Sequence, residues 1–423
     1  MAYNMDRKTF FKVFAVLLAN TGITPAFAAN LNVENNASLK ISEGPYLLSM
    51  DGGKVCVVFM TNKRAVASVE VFSPDDKNFS QNKIFFDSSP TGRKHIGTLH
   101  AVWLENLAAG NTYSYKIEVK EVLEYWETYK GAKYGATKFG DILKCDTYPN
   151  GSNPLIFKTP SDKNPEMSFI VINDIHQTPK TVQQLLQPKN LSNADFILLN
   201  GDMVNTFQNE ELIFKGFMRA VSDAAHGNIP IFYARGNHEC RGKYSEAFLD
   251  YFPTKTGKPY YAFMRAGTFF LVLDMGEDKP DSSAECGGIT DFDSYQKEES
   301  NWLEKIVASK EFKTAKRRIA ISHIPPFELG ESPYNRAIGN RFRKILDKAN
   351  LNLMICAHWH ERFVVKSGER FPKSKLDIKV KYPIIINGKK DALKVKIDDS
   401  SLSFAFINEK GGYTEWVDLN KLK

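Results

Sequence analysis

The chain has 423 residues, 43% of them hydrophobic and 25% charged, with a formal net charge of +7. That length exceeds one ordinary domain and predicts two, and the balance is that of a globular protein with a sizeable core, which excludes a disordered chain or a repeat array. No basic cluster is interleaved with aromatics, so no nucleic-acid partner is expected, and Lys373, Lys375, Lys379 and Lys381 read as a solvated strand face.

The first residues have the parts of an export signal. Asp6-Arg7-Lys8 is a charged start, Phe10 to Ala19 is apolar apart from Lys12, and Ala26-Phe27-Ala28 offers small residues for cleavage before Ala29. A signal peptide over 1–28 is expected, giving an exported protein, periplasmic or secreted, with no stable membrane insertion after cleavage. Arg7 to Lys12 also resembles a twin-arginine signal with Lys at the second arginine. Five cysteines (Cys56, Cys145, Cys240, Cys286 and Cys356) are an odd number for an exported chain, so at least one free, buried thiol is expected.

After an Asn-rich linker, residues 38–160 have the texture of short strands. Lys54 to Met60 is one, Ala67 to Val71 alternates, and Tyr113 to Val119 alternates again. Turn signals at Asp51-Gly52-Gly53 and Ala109-Gly110-Asn111 separate them, which predicts an all-β sandwich. The long stretch between Glu121 and Asn153 reads as an aromatic-rich insertion carrying Tyr125, Trp126, Tyr129 and Tyr134.

At Thr159 to Pro165 the texture changes, and a second domain is placed over 166–423. Met167 to Ile172, Phe196 to Leu199, Ile229 to Tyr233, Phe269 to Leu273, Ile319 to Ile321 and Leu351 to Ile355 are nearly continuous apolar runs, as in strands covered on both faces. Helical patterns over Thr181–Leu186, Glu211–Val221, Tyr295–Val307 and Asn340–Lys348 alternate with them, which is α/β layering. The tail from Lys375 to Val417 returns to strands and is expected to complete a second sheet.

Five of those strands run into chemistry. They deliver Asp174 and His176, then Asp202, then Asn237 and His238, then His323, then His358 and His360. The carboxyl ends of strands in α/β sheets gather along one edge, where ligands bind. Oxygen donors with imidazoles and no thiolate suit Mn, Fe, Zn or Mg-like ions. Two ions about 3.5–4 Å apart need a bridging ligand, and Asp202 is the natural bridge. Asp174, His176 and His360 are assigned to one ion; Asn237, His323 and His358 to the other. A hydroxide held between them attacks phosphorus, and His238 protonates the leaving oxygen. Arg241 is a candidate phosphate clamp. Arg235 is expected to pair with a nearby carboxylate. Glu239 stays outside the catalytic set.

This set over Met167–Phe363 resembles the calcineurin-like metallophosphoesterase superfamily. The resemblance implies a four-layer αββα sandwich and a dinuclear site built from these ligands. Gly44-Pro45-Tyr46-Leu47 and Leu104-Glu105-Asn106-Leu107 with Gly110 to Tyr115 look like the fibronectin type III-like domain preceding purple acid phosphatase catalytic domains. The nearest relatives are therefore expected among bacterial exported proteins similar to purple acid phosphatases. Those enzymes have Gly where His176 stands and a Tyr iron ligand where Asn205 stands, so no tyrosinate–iron(III) pair and no purple colour is expected. Ala357 stands where the family usually has Gly. The expected activity is hydrolysis of small phosphomonoesters with two divalent ions. A phosphodiesterase on the same site, or an inert surface binding protein, is the alternative.

Overall fold

The computed structural model describes residues 38–73, 82–124, 138–145, 155–161, 166–327, 333–372 and 377–423. The export segment, the insertion aromatics Tyr125, Trp126, Tyr129 and Tyr134, most of the 159–165 junction, Lys373 and Lys375 lie outside the described residues. Residues 41–423 form one compact unit.

The front of this unit is all strand: β1 (Ile41–Asp51), β2 (Lys54–Phe72), β3 (Lys83–Phe86), β4 (Gly97–Leu104), β5 (Thr112–Glu124), β6 (Lys138–Cys145) and β7 (Leu155–Lys158). The two apolar runs at Lys54–Met60 and Ala67–Val71 are halves of one 19-residue strand. The polar residues Asn62 to Arg64 interrupt the hydrophobic pattern, but the backbone stays extended through them. The first half of β2 pairs with β1 and β4, the second with β5 and β3. Ala67, Val69 and Val71 are buried, as their alternation requires.

The remaining strands are β8 (Met167–Ile172), β9 (Phe196–Asn200), β10 (Ile231–Ala234), β11 (Tyr261–Arg265), β12 (Thr268–Leu273), β13 (Arg317–Ser322), β14 (Leu353–Cys356), β15 (Phe363–Val365), β16 (Ile384–Ile386), β17 (Asp391–Ile397), β18 (Leu402–Asn408) and β19 (Val417–Asp418). One sheet runs β19-β18-β17-β8-β9-β10-β1-β2-β5-β6, so the front strands continue the α/β sheet. The join is a parallel pairing of β1 with β10, Leu48 opposite Ile231. The second sheet runs β11-β12-β13-β14-β16-β15. The tail thus serves both sheets: β17 pairs antiparallel with β8 in the first, and only β16 enters the second. Alternation marks a strand's buried faces but not its neighbour, which is why the tail was expected in one sheet.

The two sheets face each other across an apolar layer that includes Phe169, Phe196, Phe232, Phe263, Phe270, Ile321 and Ile355. Helices α1 (Pro179–Leu185), α2 (Glu210–Ile213) and α3 (Arg219–Ala225) cover the first sheet through Val182, Ile213 and Val221. A π-turn, Phe214–Met218, joins α2 to α3. Helices α4 (Phe292–Ala308) and α5 (Pro333–Leu346) lie against the second sheet, with Leu303, Phe342 and Leu346 in that core. This is a mixed-sheet α/β sandwich with helices outside. Every one of its parallel strands is buried on both faces, which explains the unbroken apolar runs. No helix among the described residues is long and apolar enough to cross a membrane.

Candidate metal centre

Parallel strands β8, β9 and β10 end side by side in one sheet, and β13 and β14 end side by side in the other. Their loops are tied together by the backbone. Asp174 and His176 donate their N–H groups to Gly201 and Asp202 carbonyls at 3.0 Å, and Ala357 donates to His323 at 2.9 Å. The loops after β8, β9 and β14 leave their strands through the left-handed region: Asp174, His176, Gln177, Asp202, His358 and His360 all have positive φ without being glycine. Such backbone costs of order 1–3 kcal/mol per residue and persists where the surroundings impose it.

Two groups of side chains converge. In the first, His360 Nε2 lies 3.2 Å from Asp174 Oδ1 and 3.1 Å from His176 Nε2. In the second, His323 Nε2 is 3.1 Å from Asp202 Oδ2, and the His358 ring stands 5.3 Å from that of His323. His238 Nε2 is 3.8 Å from the same Asp202 oxygen and completes a third group with His176 and Asp202. Asn237, at the turn after β10, is buried beside them.

Hydrogen bonds fix which atoms face the centre. His323 Nδ1 donates to the Asn200 carbonyl at 2.7 Å, and His238 Nδ1 to the Asn205 carbonyl at 2.6 Å. His176 Nδ1 donates to Asn205 Oδ1 at 3.2 Å. Asn205 in turn donates to Gln177, which orients its amide. A proton on Nδ1 leaves the Nε2 lone pair free. Asn173 Nδ2 holds Asp174 Oδ2 at 2.7 Å, and Asn387, beyond β16, holds Asn173 at 2.6 Å.

The donor atoms left over are the ones a cation needs. Among the described residues, Asp174 Oδ1 and Asn237 Oδ1 are buried without a hydrogen-bond partner, and His323 Nε2 meets only the Asp202 carboxylate. The Nε2 atoms of His176 and His360, 3.1 Å apart, either share a proton or face a cation between them. Buried polar atoms are otherwise almost always satisfied. The residues therefore fit divalent cations, by their geometry and by their oxygen–imidazole chemistry.

The local field follows the same division. Burial, against the pull of Asp202 and Asp174, pushes His176 down to about 4. Burial and the neighbouring His323 bring His358 down to about 4 as well. His323 is opposite: burial disfavours its charge, but Asp202 overrides this and raises it to about 10. Burial would lift Asp202, yet His323 and His238 hold it well below the usual carboxylate range. Without metal, Asp202 and His323 are an ion pair, while His176 and His358 are neutral.

Arg241 is placed differently from a free phosphate clamp. Its Nε and Nη2 make a bidentate pair with Glu277 at 2.6 and 2.7 Å, and Nη1 lies 3.4 Å from His238 Nε2. One corner of the guanidinium faces the site; the fork faces Glu277. Arg235 pairs with Asp274, which also accepts from Tyr295.

Glu239 is the residue that sequence reasoning passed over. It is fully buried. It accepts from the backbone N–H groups of Asp202 (2.9 Å), Met203 (2.8 Å), Val204 (3.3 Å) and Gly236 (2.9 Å), and from the Tyr233 hydroxyl (3.0 Å). It straps the β9 loop to the β10 loop. Gly236 makes room for this strap: a Cβ there would fall 2.3 Å from Asp202 Oδ1. Only its place three residues after Gly236 hinted at the role. Cys56, Cys240 and Cys286 are free and buried, and Cys356 is buried as well.

Residues 167–362 match the family model of the calcineurin-like phosphoesterases. No curated protein matches the chain. The fold is similar to that of a purple acid phosphatase from yellow lupin (Lupinus luteus) seeds, with a TM-score of 0.60 and 12% identity over 88% of this chain and 73% of that one. GAP50, the anchor in the inner membrane complex of Plasmodium, matches 60% of this chain and 88% of its own at 14% identity and a TM-score of 0.42. A phosphoesterase from E. coli matches 60% of this chain and 100% of its own at 12% identity and a TM-score of 0.26. Residues 167–362 are a calcineurin-like phosphoesterase domain, and the chain is a metal-dependent phosphohydrolase.

Proposed function

We propose that the chain is an exported phosphomonoesterase that uses two divalent ions. Asp174, His176 and His360 hold one, Asn237, His323 and His358 the other, and Asp202 lies between both groups. The observation that carries this is the convergence of Asp and His ligand atoms from five strand ends, with Asp174 Oδ1 and the neighbouring Asn237 Oδ1 buried without a hydrogen-bond partner among the described residues. When bound, two such ions supply Lewis acidity toward phosphoryl oxygens and an acidified water. The chain's own residues supply the rest. Asn200 and Asn205 hold His323, His176 and His238 in one tautomer. Asp202, ionised at any ordinary pH, fixes charge at the middle of the site. His238 keeps its Nδ1 proton on a carbonyl and turns Nε2 inward, 3.8 Å from Asp202 Oδ2, in position to serve as the acid toward a departing oxygen. Arg241 approaches the inward-facing Nε2 of His238 through Nη1 and is held there by Glu277.

The preference for monoesters is supported by similarity in fold to an acid phosphatase across 88% of the chain, including the strands before Met167. We read those strands as a fibronectin type III-like sandwich and residues 1–28 as a cleaved export signal. The mature amino terminus of protein recovered from a periplasmic or culture fraction tests the latter: it is expected at Ala29, and an intact Met1 in that fraction overturns it. For the activity, an aryl monophosphate and a bis-aryl phosphate are compared at equal metal loading. Faster monoester turnover is expected; faster diester turnover overturns the preference, and turnover of neither with Mn, Zn, Fe or Mg overturns the activity.

A further inference from the structure

The sheet has a second built edge. At the amino ends of β8, β9 and β10, opposite the metal centre, lies an open cleft of about 990 Å³. Strands of this length put it roughly 15–20 Å from the metal ligands, at about 3.3 Å per residue. Two buried cations line it. Arg265, at the end of β11, is 6% exposed and makes no salt bridge among the described residues; its Nη1 is buried without a hydrogen-bond partner. Asp195 and Asp51 are the carboxylates whose field reaches it. Asp195 Oδ2 is engaged by the Ser168 N–H at 2.8 Å. Lys394, on β17, is 3% exposed, and its Nζ donates to the carbonyls of Asn190 and Ser192 at 2.9 and 3.2 Å, with no carboxylate partner among the described residues. Ser168 Oγ, on the same wall, is also buried and unpartnered.

A buried guanidinium without an anion is costly, and the catalytic domain has no use for one this far from its metals. The cleft has a second, different wall. Tyr413 and Trp416 stack on each other with ring centroids 6.3 Å apart. They are 41% and 39% exposed, and Lys396 Nζ lies 4.2 Å from the Trp416 ring centre. Flat rings bind on such a pair.

We infer that this cleft is a binding site, separate from the metal centre, for an anionic ligand carrying a flat ring, of the nucleotide class. The anion is held by Arg265 and Lys394, with Ser168 Oγ as a further donor. The ring stacks on Tyr413 and Trp416. The site stands apart from the proposed hydrolysis, so failure of either leaves the other intact.

The test is calorimetric titration of the full metal-loaded chain with an adenosine 5′-phosphonate, whose carbon–phosphorus bond resists hydrolysis, alongside adenosine and inorganic sulfate. Binding of the phosphonate at a class of site that Trp416→Ala weakens about tenfold is expected, with aryl monophosphate turnover unchanged. Lys394→Met is expected to weaken the same binding by a similar factor and to abolish sulfate competition there. Trp416 is exposed, so its replacement does not threaten folding, and thermal melts of both variants exclude unfolding as the cause. Identical isotherms for wild type and Trp416→Ala overturn the ring subsite. Identical isotherms for wild type and folded Lys394→Met overturn the site, because all binding then belongs to the metal centre.

Discussion

Replacing Glu239 with Gln changes one atom of a side chain that touches neither substrate nor metal. The amide can be placed in two ways. With nitrogen at Oε2, the N–H groups of Asp202 and Gly236 lose their acceptor; with nitrogen at Oε1, those of Met203 and Val204 and the Tyr233 hydroxyl lose theirs. The less damaging choice still faces two buried backbone donors with a third donor. Each orphaned group costs about 1–3 kcal/mol, so a loss of about 2–6 kcal/mol is expected, a large share of a typical domain's stability of roughly 5–15 kcal/mol. The same change loosens Asp202, whose left-handed backbone is held by this strap, and metal affinity is expected to fall about 10–100-fold. Urea unfolding at constant m-value reads the first effect, and equilibrium dialysis against Zn or Mn reads the second. Tyr233→Phe is the control. It removes one bond and leaves every backbone donor satisfied, so a loss near 1 kcal/mol is expected. A Glu239→Gln protein with wild-type midpoint and wild-type metal affinity would refute the strap.

Three further outcomes follow from the same geometry. Gly236→Ala places a methyl 2.3 Å from Asp202 Oδ1 and 2.5 Å from Asp202 N; metal content by elemental analysis is expected to collapse, and normal content would contradict the close approach. His238→Ala is expected to retain its metals and slow turnover about 10²–10⁴-fold for an alkyl phosphate, but much less for a nitrophenyl phosphate, whose leaving group needs no proton; equal losses would remove His238 as the acid. Protonation sets the third. His323 in the metal-free site is raised to about 10 by Asp202, while His176 and His358 are lowered to about 4. The stabilisation from a raised His is full below about 6.5 and is lost as pH climbs through about 10. Metal-free protein is therefore expected to lose stability between pH 7 and 10, and metal uptake at pH 7 to release a proton from His323. Apparent metal affinity should rise about tenfold per pH unit over that range. A pH-independent affinity between 7 and 9 would contradict the ion pair.

The convergence of these side chains was legible because each candidate ligand follows closely on an apolar run long enough to be a buried strand. Met167–Ile172 ends two residues before Asp174, and Ile319–Ile321 ends two residues before His323. The order of strands then does the rest, since parallel neighbours end together. What holds the ligands was not legible. Asn205 carries His176 and His238 through contacts of its amide and its carbonyl, made across sequence separations of 29 and 33 residues, and no local pattern announces such a pairing. Glu239 reads as an ordinary polar residue on a turn until four backbone donors are seen around it. Arg241 reads as a phosphate clamp by type and position, but Glu277, on a rim loop 36 residues away, takes its fork. The continuous sheet was hidden for a similar reason. β1 meets β10 through a single parallel contact, Leu48 with Ile231, and an apolar strand edge carries no address for its neighbour.

The central claim is that five strand ends form one two-metal hydrolytic site. It is tested most directly by measuring aryl monophosphate turnover against the number of metal ions bound per chain, from chelated protein to saturation. Turnover is expected to be absent without metal, to rise with loading and to level off at two ions per chain, with Asp202→Asn failing to reach that plateau at any metal concentration. Undiminished hydrolysis by fully chelated protein, or a plateau at a single ion, would contradict it.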